Sequence, residues 1–210
     1  MINLLIVDDH AVVRRGVREI LMDEPDMHVS ETGSGRAALK LIKENAFDLV
    51  LLDLGLPGKN GLEILKEIKQ VQPLLPVLVL SVYPEDQFAI RVLKAGAAGF
   101  VPKDAAPEDL VQAVRKVLGG GKHVSDVVAG LLLHQVTNKS NSVPHEMLSD
   151  REFQILCLLG AGKTVSSIAR DLSLSVPTVS TYRARLLDKM HMTTTAELVK
   201  YAIENRLTLK

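Results

Sequence analysis

The 210-residue chain predicts two units of different class: a doubly wound α/β unit on a five-stranded parallel sheet, then a small all-α unit of four helices. Three observations carry that reading. Short apolar runs alternate five times with amphipathic stretches up to residue 118, which calls for a parallel sheet covered by helices on both faces. A polar segment, Thr137-Asn138-Lys139-Ser140-Asn141-Ser142, interrupts the pattern before Pro144. Beyond it the strand signals cease and helical periodicity takes over.

Residues 4–7 form an apolar run that ends on Asp8-Asp9, and residues 11–22 place Val12, Val13, Val17, Ile20 and Leu21 at helical spacing. Strand and helix then repeat at 27–32 and 36–45, 48–53 and 61–71, 76–81 and 86–95, 99–102 and 107–118. Right-handed crossovers restrict the strand order, and the flavodoxin-like 2-1-3-4-5 is the common one for five strands. Gly119-Gly120-Gly121 stops the last of these helices, and residues 125–135 read as a further helix. The C-terminal helices fall at 149–159, 164–172, 175–190 and 194–205. Ser149 with Glu152 makes an S-x-x-E capping box, and Ser175 is an N-cap with Pro177 in the first turn. The boundaries that follow are 1–121 for the α/β domain, 122–145 for a linker with one helix, and 146–210 for the helical domain.

Composition narrows the class. A hydrophobic share of 47% supports a sizeable core, and a charged share of 24% argues against wholesale disorder. The single cysteine, Cys157, excludes an internal disulfide framework, and its apolar neighbours make it a buried small hydrophobe. The N-terminus lacks the basic region and long apolar core of a signal peptide, and no apolar run is long enough to span a bilayer. A soluble cytoplasmic protein with no membrane partner is expected. Net charge is zero, but up to His145 there are 16 Lys and Arg against 18 Asp and Glu, and from Glu146 on there are 9 against 7. That asymmetry allows nucleic-acid binding by the C-terminal unit without demanding it.

The stretch DLVLLDLGLPGKNGLEIL, residues 48–65, carries the chemistry. In a doubly wound sheet, ligands bind outside the carboxyl ends of the strands where the order reverses, here between the first and third. Asp8 and Asp9 end the first strand and Asp53 ends the third. One strand-terminal aspartate is commonly a turn cap. Three on adjacent strands repel one another unless a cation compensates, and Mg²⁺ is the fitting hard cation. Ser81 ends the fourth strand with a hydroxyl, and Lys103 follows the fifth with a positive charge. Together they frame a pocket for a phosphoryl group, with Asp53 as nucleophile and Mg²⁺ and Lys103 neutralising the phosphoryl oxygens. A second pattern, Gly33-x-Gly35-x-x-Ala38, looks like a dinucleotide fingerprint. It follows an edge strand rather than the switch point, so it reads as a turn and helix start.

Asp8-Asp9, the D-x-x-x-P-x-x-x-G run of Asp53, Pro57 and Gly61, Ser81 and Lys103 resemble a bacterial two-component receiver domain over about residues 2–120. The resemblance implies a CheY-like fold, phosphorylation of Asp53 by a sensor histidine kinase, and Mg²⁺ among Asp8, Asp9, Asp53 and the carbonyl of Gly55. It also implies that Ser81 moves to bond the phosphoryl group. Phe100 would swing inward as an aromatic switch and remodel the face of the fourth helix, fifth strand and fifth helix. From the residues alone Phe100 reads equally as core. Leu56 stands where the family often has Met, Ser81 for the commoner Thr, and Asp104 rather than Pro follows Lys103.

In the C-terminal unit, a short helix, the turn Ser173-Leu174-Ser175 and a longer helix make a helix-turn-helix pattern. The polar face of the longer helix sets Arg183, Arg185 and Lys189 against Asp188, which suits phosphate and base-edge contacts and equally a solvated face. Residues 146–208 resemble the LuxR-type helix-turn-helix through Leu148, Arg151, Glu152, Leu158, Gly162, Ile168, Ala169, Leu172, Ser175, Thr178, Val179 and 186–190. Joined to the receiver, this makes the chain resemble a NarL/FixJ-type response regulator. The resemblance implies that Ser180, Thr181 and Ala184 face bases, and that Thr178, Arg183, Arg185, Lys163 and Lys189 hold phosphates. Tyr182 joins this DNA-facing set where the family often has His, and the last helix would form a dimer interface. Ser166, Ser167 and Ser180 replace residues that are often charged, and each absent phosphate contact weakens binding and flattens its salt dependence.

The implied function is a regulator whose phosphorylation controls sequence-specific binding of double-stranded DNA by a homodimer. Its only enzymatic capacity would be self-phosphorylation and self-dephosphorylation at Asp53. A phosphohydrolase of the haloacid-dehalogenase type would need a second carboxylate two residues after Asp53, where Gly55 stands. A receiver used purely for protein interaction is the third class, and a salt-dependent gel shift separates it.

Overall fold

Among the described residues, five parallel strands, β1 (Ile2–Val7), β2 (Met27–Thr32), β3 (Leu49–Leu52), β4 (Val77–Ser81) and β5 (Gly99–Pro102), pair in the order β2-β1-β3-β4-β5. The flavodoxin-like order is therefore present. The crossovers are α1 (Ala11–Met22), α2 (Gly35–Glu44), α3 (Gly61–Val71) and α4 (Glu85–Lys94), and α5 (Pro107–Leu118) follows the last strand. The computed structural model describes residues 1–137 and 144–208. They divide into two compact units, Met1–Leu133 and His134–Lys210. A helix, α6 (Asp126–Thr137), lies at the division, where one was expected at 125–135. The polar stretch 138–142, read as linker, lies outside the described residues.

The regular third strand spans four residues where six were predicted, although the Asp48 amide still donates to the Asn3 carbonyl at 2.8 Å. Asp48 turns its carboxylate to the Asn3 N–H at 2.7 Å. Asp53 keeps its backbone in the ladder, donating to the Val7 carbonyl at 2.8 Å, and Asp8 does the same to Thr32 at 3.1 Å. The backbone amides of both aspartates are thus the last rungs of the parallel ladder, so the side chains leave the sheet edge from fixed points.

Strand alternation sorts the core into two layers. Leu4, Ile6, Leu49, Leu51, Leu78 and Leu80 pack with Val17 and Leu21 of α1 and Leu110, Ala113, Val114 and Val117 of α5. The alternate residues Leu5, Val7, Val50, Leu52, Val77 and Val79 are also buried, and belong to the opposite face. Each such side chain contributes about 1.5–3 kcal/mol on burial. Gly35 opens α2, and a Cβ there would lie 2.6 Å from Ile64 Cγ1 of α3. The glycine of the dinucleotide-like pattern therefore serves helix–helix contact. Gly61 is needed for a different approach: a Cβ would fall 2.5 Å from the Leu54 Cα, so only glycine lets α3 start so close to the end of β3.

The second unit holds α7 (Asp150–Gly160), α8 (Val165–Asp171), α9 (Val176–Lys189) and α10 (Thr195–Glu204). α7 is its centre: Phe153, Ile155, Leu156, Cys157, Leu158 and Leu159 are all buried, and the cysteine sits where a small hydrophobe was expected. The capping box at its start is present, with Ser149 Oγ accepting from the Glu152 N–H and the Glu152 carboxylate from the Ser149 N–H at 2.8 Å. α10 carries a second box, Thr194 with Glu197, which the T-T-A-E spacing signals equally well. The turn between α8 and α9 closes by Leu174 N–H to the Ala169 carbonyl at 2.8 Å, with Ser173 in the left-handed region at φ +51°. Ser175 then caps α9 by accepting from the Thr178 N–H.

Candidate functional site

The carboxyl ends of β1, β3, β4 and β5 bring Asp8, Asp53, Ser81 and Lys103 together. Asp8 is 1% exposed and Asp53 2%, which for ionisable groups requires compensation. Lys103 supplies it. Its Nζ lies 2.6 Å from Asp8 Oδ2 and 2.9 Å from Asp53 Oδ2, so one ammonium bridges both strands. The backbone holds it there through Lys103 N–H to the Ser81 carbonyl at 3.0 Å.

The bridge does not saturate the site. Among the described residues Asp53 Oδ1 is buried with no hydrogen-bond partner. Burial pushes the Asp53 carboxyl above its ordinary pKa and the Asp8 charge adds to this, while Lys103 and the Gly55 N–H oppose it. Gly55 is sterically matched to this place, since a Cβ there would sit 3.1 Å from Asp53 Oδ2. The carbonyl of Gly55 is the ligand that the resemblance implies, and the residue lies directly beside the Asp53 carboxylate.

Asp9 is exposed at the rim. Between it and Asp8 stands a residue that sequence reasoning passed over, His10. Its Nδ1 is 2.8 Å from Asp9 Oδ1 and 3.3 Å from Asp8 Oδ1, and its backbone N–H donates to Asp8 Oδ1 at 2.8 Å. The D-D-H run was the available signal. Ligand atoms of Asp8, Asp9, His10 and Asp53 all lie within 4.8 Å of one another. An oxygen-rich set with an orphaned buried carboxylate oxygen fits a hard divalent cation.

Ser81 is fully buried, its Oγ accepting from the Tyr83 N–H at 3.2 Å. Phe100 is 1% exposed and is packed as a core residue. The neighbouring aromatic pair is Tyr83 and Phe88, stacked with centroids 4.6 Å apart.

On α9, Thr181, Ala184 and Arg185 are exposed, and Thr178, Ser180, Tyr182 and Arg183 are partly so. The cations are less free than the sequence implies. Lys189 Nζ lies 2.7 Å from the Oε2 of Glu152, the buried capping-box residue. Lys163 pairs with Asp171, and Arg183 leans on the Thr195 hydroxyl at 3.5 Å. Arg185 lies over the Tyr182 ring, 5.8 Å from its centroid, which leaves its guanidinium edge open. Thr181 Oγ1 bonds back to the Pro177 carbonyl at 3.0 Å.

Residues 4–115 match the response regulator receiver domain, and residues 146–202 match the luxR family of bacterial regulatory proteins. The chain belongs to the two-component response regulators of NarL/FixJ type, in which a receiver is joined to a LuxR-type DNA-binding domain. Its relatives agree along the whole length. It is 37% identical over 209 residues to the response regulator UvrY of Escherichia coli (strain K12), covering 99% of this chain and 96% of that one. It is 38% identical over 207 residues to the response regulator GacA of Pseudomonas aeruginosa, covering 98% and 97%. Among solved structures, RcsB of Salmonella enterica serovar Typhimurium, bound to the promoter rprA in the presence of the phosphomimetic BeF3⁻, is 26% identical with a TM-score of 0.64 and coverage of 95% and 97%. A LuxR-family two-component response regulator from Aurantimonas sp. SI85-9A1 is 31% identical with a TM-score of 0.60, covering 65% of this chain and 98% of that one. The family is one of DNA-binding regulators rather than metabolic enzymes. Among the described residues no helix is long and apolar enough to cross a membrane.

Proposed function

We propose that Asp53 is the phosphoacceptor, that a sensor histidine kinase is its donor, and that phosphorylation controls the binding of α9 to a two-fold DNA site by a homodimer in the cytoplasm. The observation that carries this reading is the buried Asp53 carboxylate, with one oxygen on Lys103 and the other unpartnered. The unpartnered oxygen is free to attack phosphorus, forming a mixed anhydride as the donor's leaving group departs. Burial makes the carboxylate more basic, which strengthens it as a nucleophile. Lys103 holds charge against the phosphoryl oxygens, and Ser81 offers its hydroxyl once it turns from Tyr83. Mg²⁺, held by Asp8, Asp9, Asp53 and the Gly55 carbonyl, would supply further neutralisation of the phosphoryl charge. Phe100 would report the change to α4, β5 and α5. Any enzymatic capacity is confined to gain and loss of the phosphoryl group at Asp53.

For DNA, exposure favours Thr181, Ala184 and Arg185 as the leading contacts, with Thr178, Ser180, Tyr182 and Arg183 at the margin. Lys163 and Lys189 would reach phosphates only by sharing or leaving Asp171 and Glu152. The test is to treat wild type and Asp53→Asn with a small phosphodonor and Mg²⁺, and to read mass, oligomeric state and promoter binding. Wild type should gain one phosphoryl group, dimerise and bind DNA more tightly. Equal phosphoryl gain by Asp53→Asn, or none by wild type, removes the assignment.

A further inference from the structure

The end of the sheet opposite Asp53 holds a cavity of about 690 Å³ lined by the last turns of α3, α4 and α5 and the loops that follow them. Three lysines, Lys69, Lys94 and Lys122, line it against one acid, Asp48, whose carboxylate is engaged by the Asn3 N–H. Lys69 is the unusual member. Its stem runs over Gly96, where a Cβ would sit 3.3 Å from Lys69 Cγ at a φ of +97°. The absence of a side chain there lets Lys69 lie half-buried. Its Nζ donates to the Leu75 carbonyl at 2.6 Å and to Pro73 at 3.4 Å, and finds no third acceptor among the described residues. A neutral amine has two hydrogens for those two carbonyls and keeps its lone pair free. An ammonium turns its third hydrogen into the cavity, beside the charge of Lys122. Burial, and then the Lys122 charge, hold the Lys69 amine below the usual lysine range. Lys122 itself is fixed by the Ala97 carbonyl at 2.8 Å, and Lys94 is exposed at the rim.

We propose that Lys69 is an acylation site, modified directly by small acyl phosphates drawn in by Lys122 and Lys94. The Nζ lone pair attacks the carbonyl carbon and the bond from that carbon to the bridging oxygen breaks. Phosphate leaves with the electron pair, and the proton lost from nitrogen passes to phosphate or water. The product amide keeps one N–H for the Leu75 carbonyl. One mixed anhydride thus has two outcomes on this chain: attack at phosphorus by Asp53, as proposed above, and attack at carbon by Lys69.

Acetyl phosphate and the full-length protein test this, with acetyl occupancy at each lysine followed over time by peptide mass spectrometry. Lys69 should acetylate several-fold faster than the exposed Lys40, Lys43 and Lys200. Lys122→Gln should lose that advantage and Lys122→Arg should keep it, with far-UV circular dichroism confirming that both fold. Asp53→Asn should acetylate at Lys69 like wild type while losing phosphoryl uptake, which separates this proposal from the phosphoacceptor reading. Uptake at Lys69 no faster than at the exposed lysines, or undiminished in Lys122→Gln, overturns it.

Discussion

The acidic pocket of the receiver and the polar face of α9 are built by opposite means. In the pocket, four strand ends deliver their side chains to one point, backbone rungs fix Asp8 and Asp53, and a single ammonium ties both carboxylates. On α9 the side chains share only a helix face, each is exposed or partly exposed, and Lys189, like Lys163 ahead of α8, is held by a carboxylate of its own domain. The pocket concentrates unmet electrostatic demand in a low-dielectric place, where each interaction is strong. The helix face spreads weak, solvent-screened contacts that gain value only against a polyanion. A phosphoryl switch needs the first design, and adjustable recognition of a DNA site needs the second.

That contrast is broken most severely by Lys103→Met. It leaves two buried carboxylates without a cation and should cost about 3 kcal/mol at pH 7 in chemical denaturation. The loss should shrink on acidification as the Asp53 carboxyl, raised by burial, takes up its proton, and a pH-independent loss would point to packing instead.

Asp53→Asn should move stability the other way. Because burial raises the Asp53 pKa in the folded state, folded protein favours the protonated carboxyl, and wild type loses stability as pH rises from the ordinary aspartate range through that raised value. Asparagine removes the loss, so the variant should melt higher at pH 7. The two melting temperatures should converge below the ordinary aspartate pKa. A variant melting lower at neutral pH contradicts the assigned direction.

In the helical domain, Ser149→Ala should cost about 1 kcal/mol by removing the cap from α7, the helix the rest of the unit packs around. Its effect on phosphoryl uptake at Asp53 should be nil.

The smallest expected effect is Arg185→Ala. It should weaken DNA binding about equally across sequences and reduce the slope of log affinity against log salt by about 1, as for loss of one phosphate contact. An unchanged slope would remove Arg185 from the interface. Lys189→Ala offers the contrast. Its lost stability should exceed any change in slope, because its ammonium is spent on Glu152.

Much of this molecule is legible one segment at a time. The run Leu49–Leu52 between Asp48 and a cluster of turn residues reads as a buried strand ending on a carboxylate, because apolar runs and turn chemistry are local properties. Gly61 was legible as part of a motif, but its steric reason was not, since Leu54 meets it only once α3 has folded back on β3. His10 was passed over because its neighbours in sequence, Asp8 and Asp9, absorbed the reading. The α9 cations were overcounted for the opposite reason: the partner of Lys189 lies 37 positions away, so no local pattern shows it.

By itself the sequence determined the order and type of the elements, the parallel sheet, the placing of three aspartates, a hydroxyl and a lysine at strand ends, and the helix-turn-helix. Periodicity, caps and turns act over a few residues, and right-handed crossovers leave few ways to join them. Only the tertiary structure decided that Lys103 bridges Asp8 and Asp53, that Asp53 Oδ1 stays unpartnered, that Lys163 and Lys189 are spent inside their domain, and that Lys69 lies half-buried over Gly96. Those facts depend on which charges lose water and which groups then come within reach. Desolvation and ion pairing belong to the packed chain, not to any stretch of it.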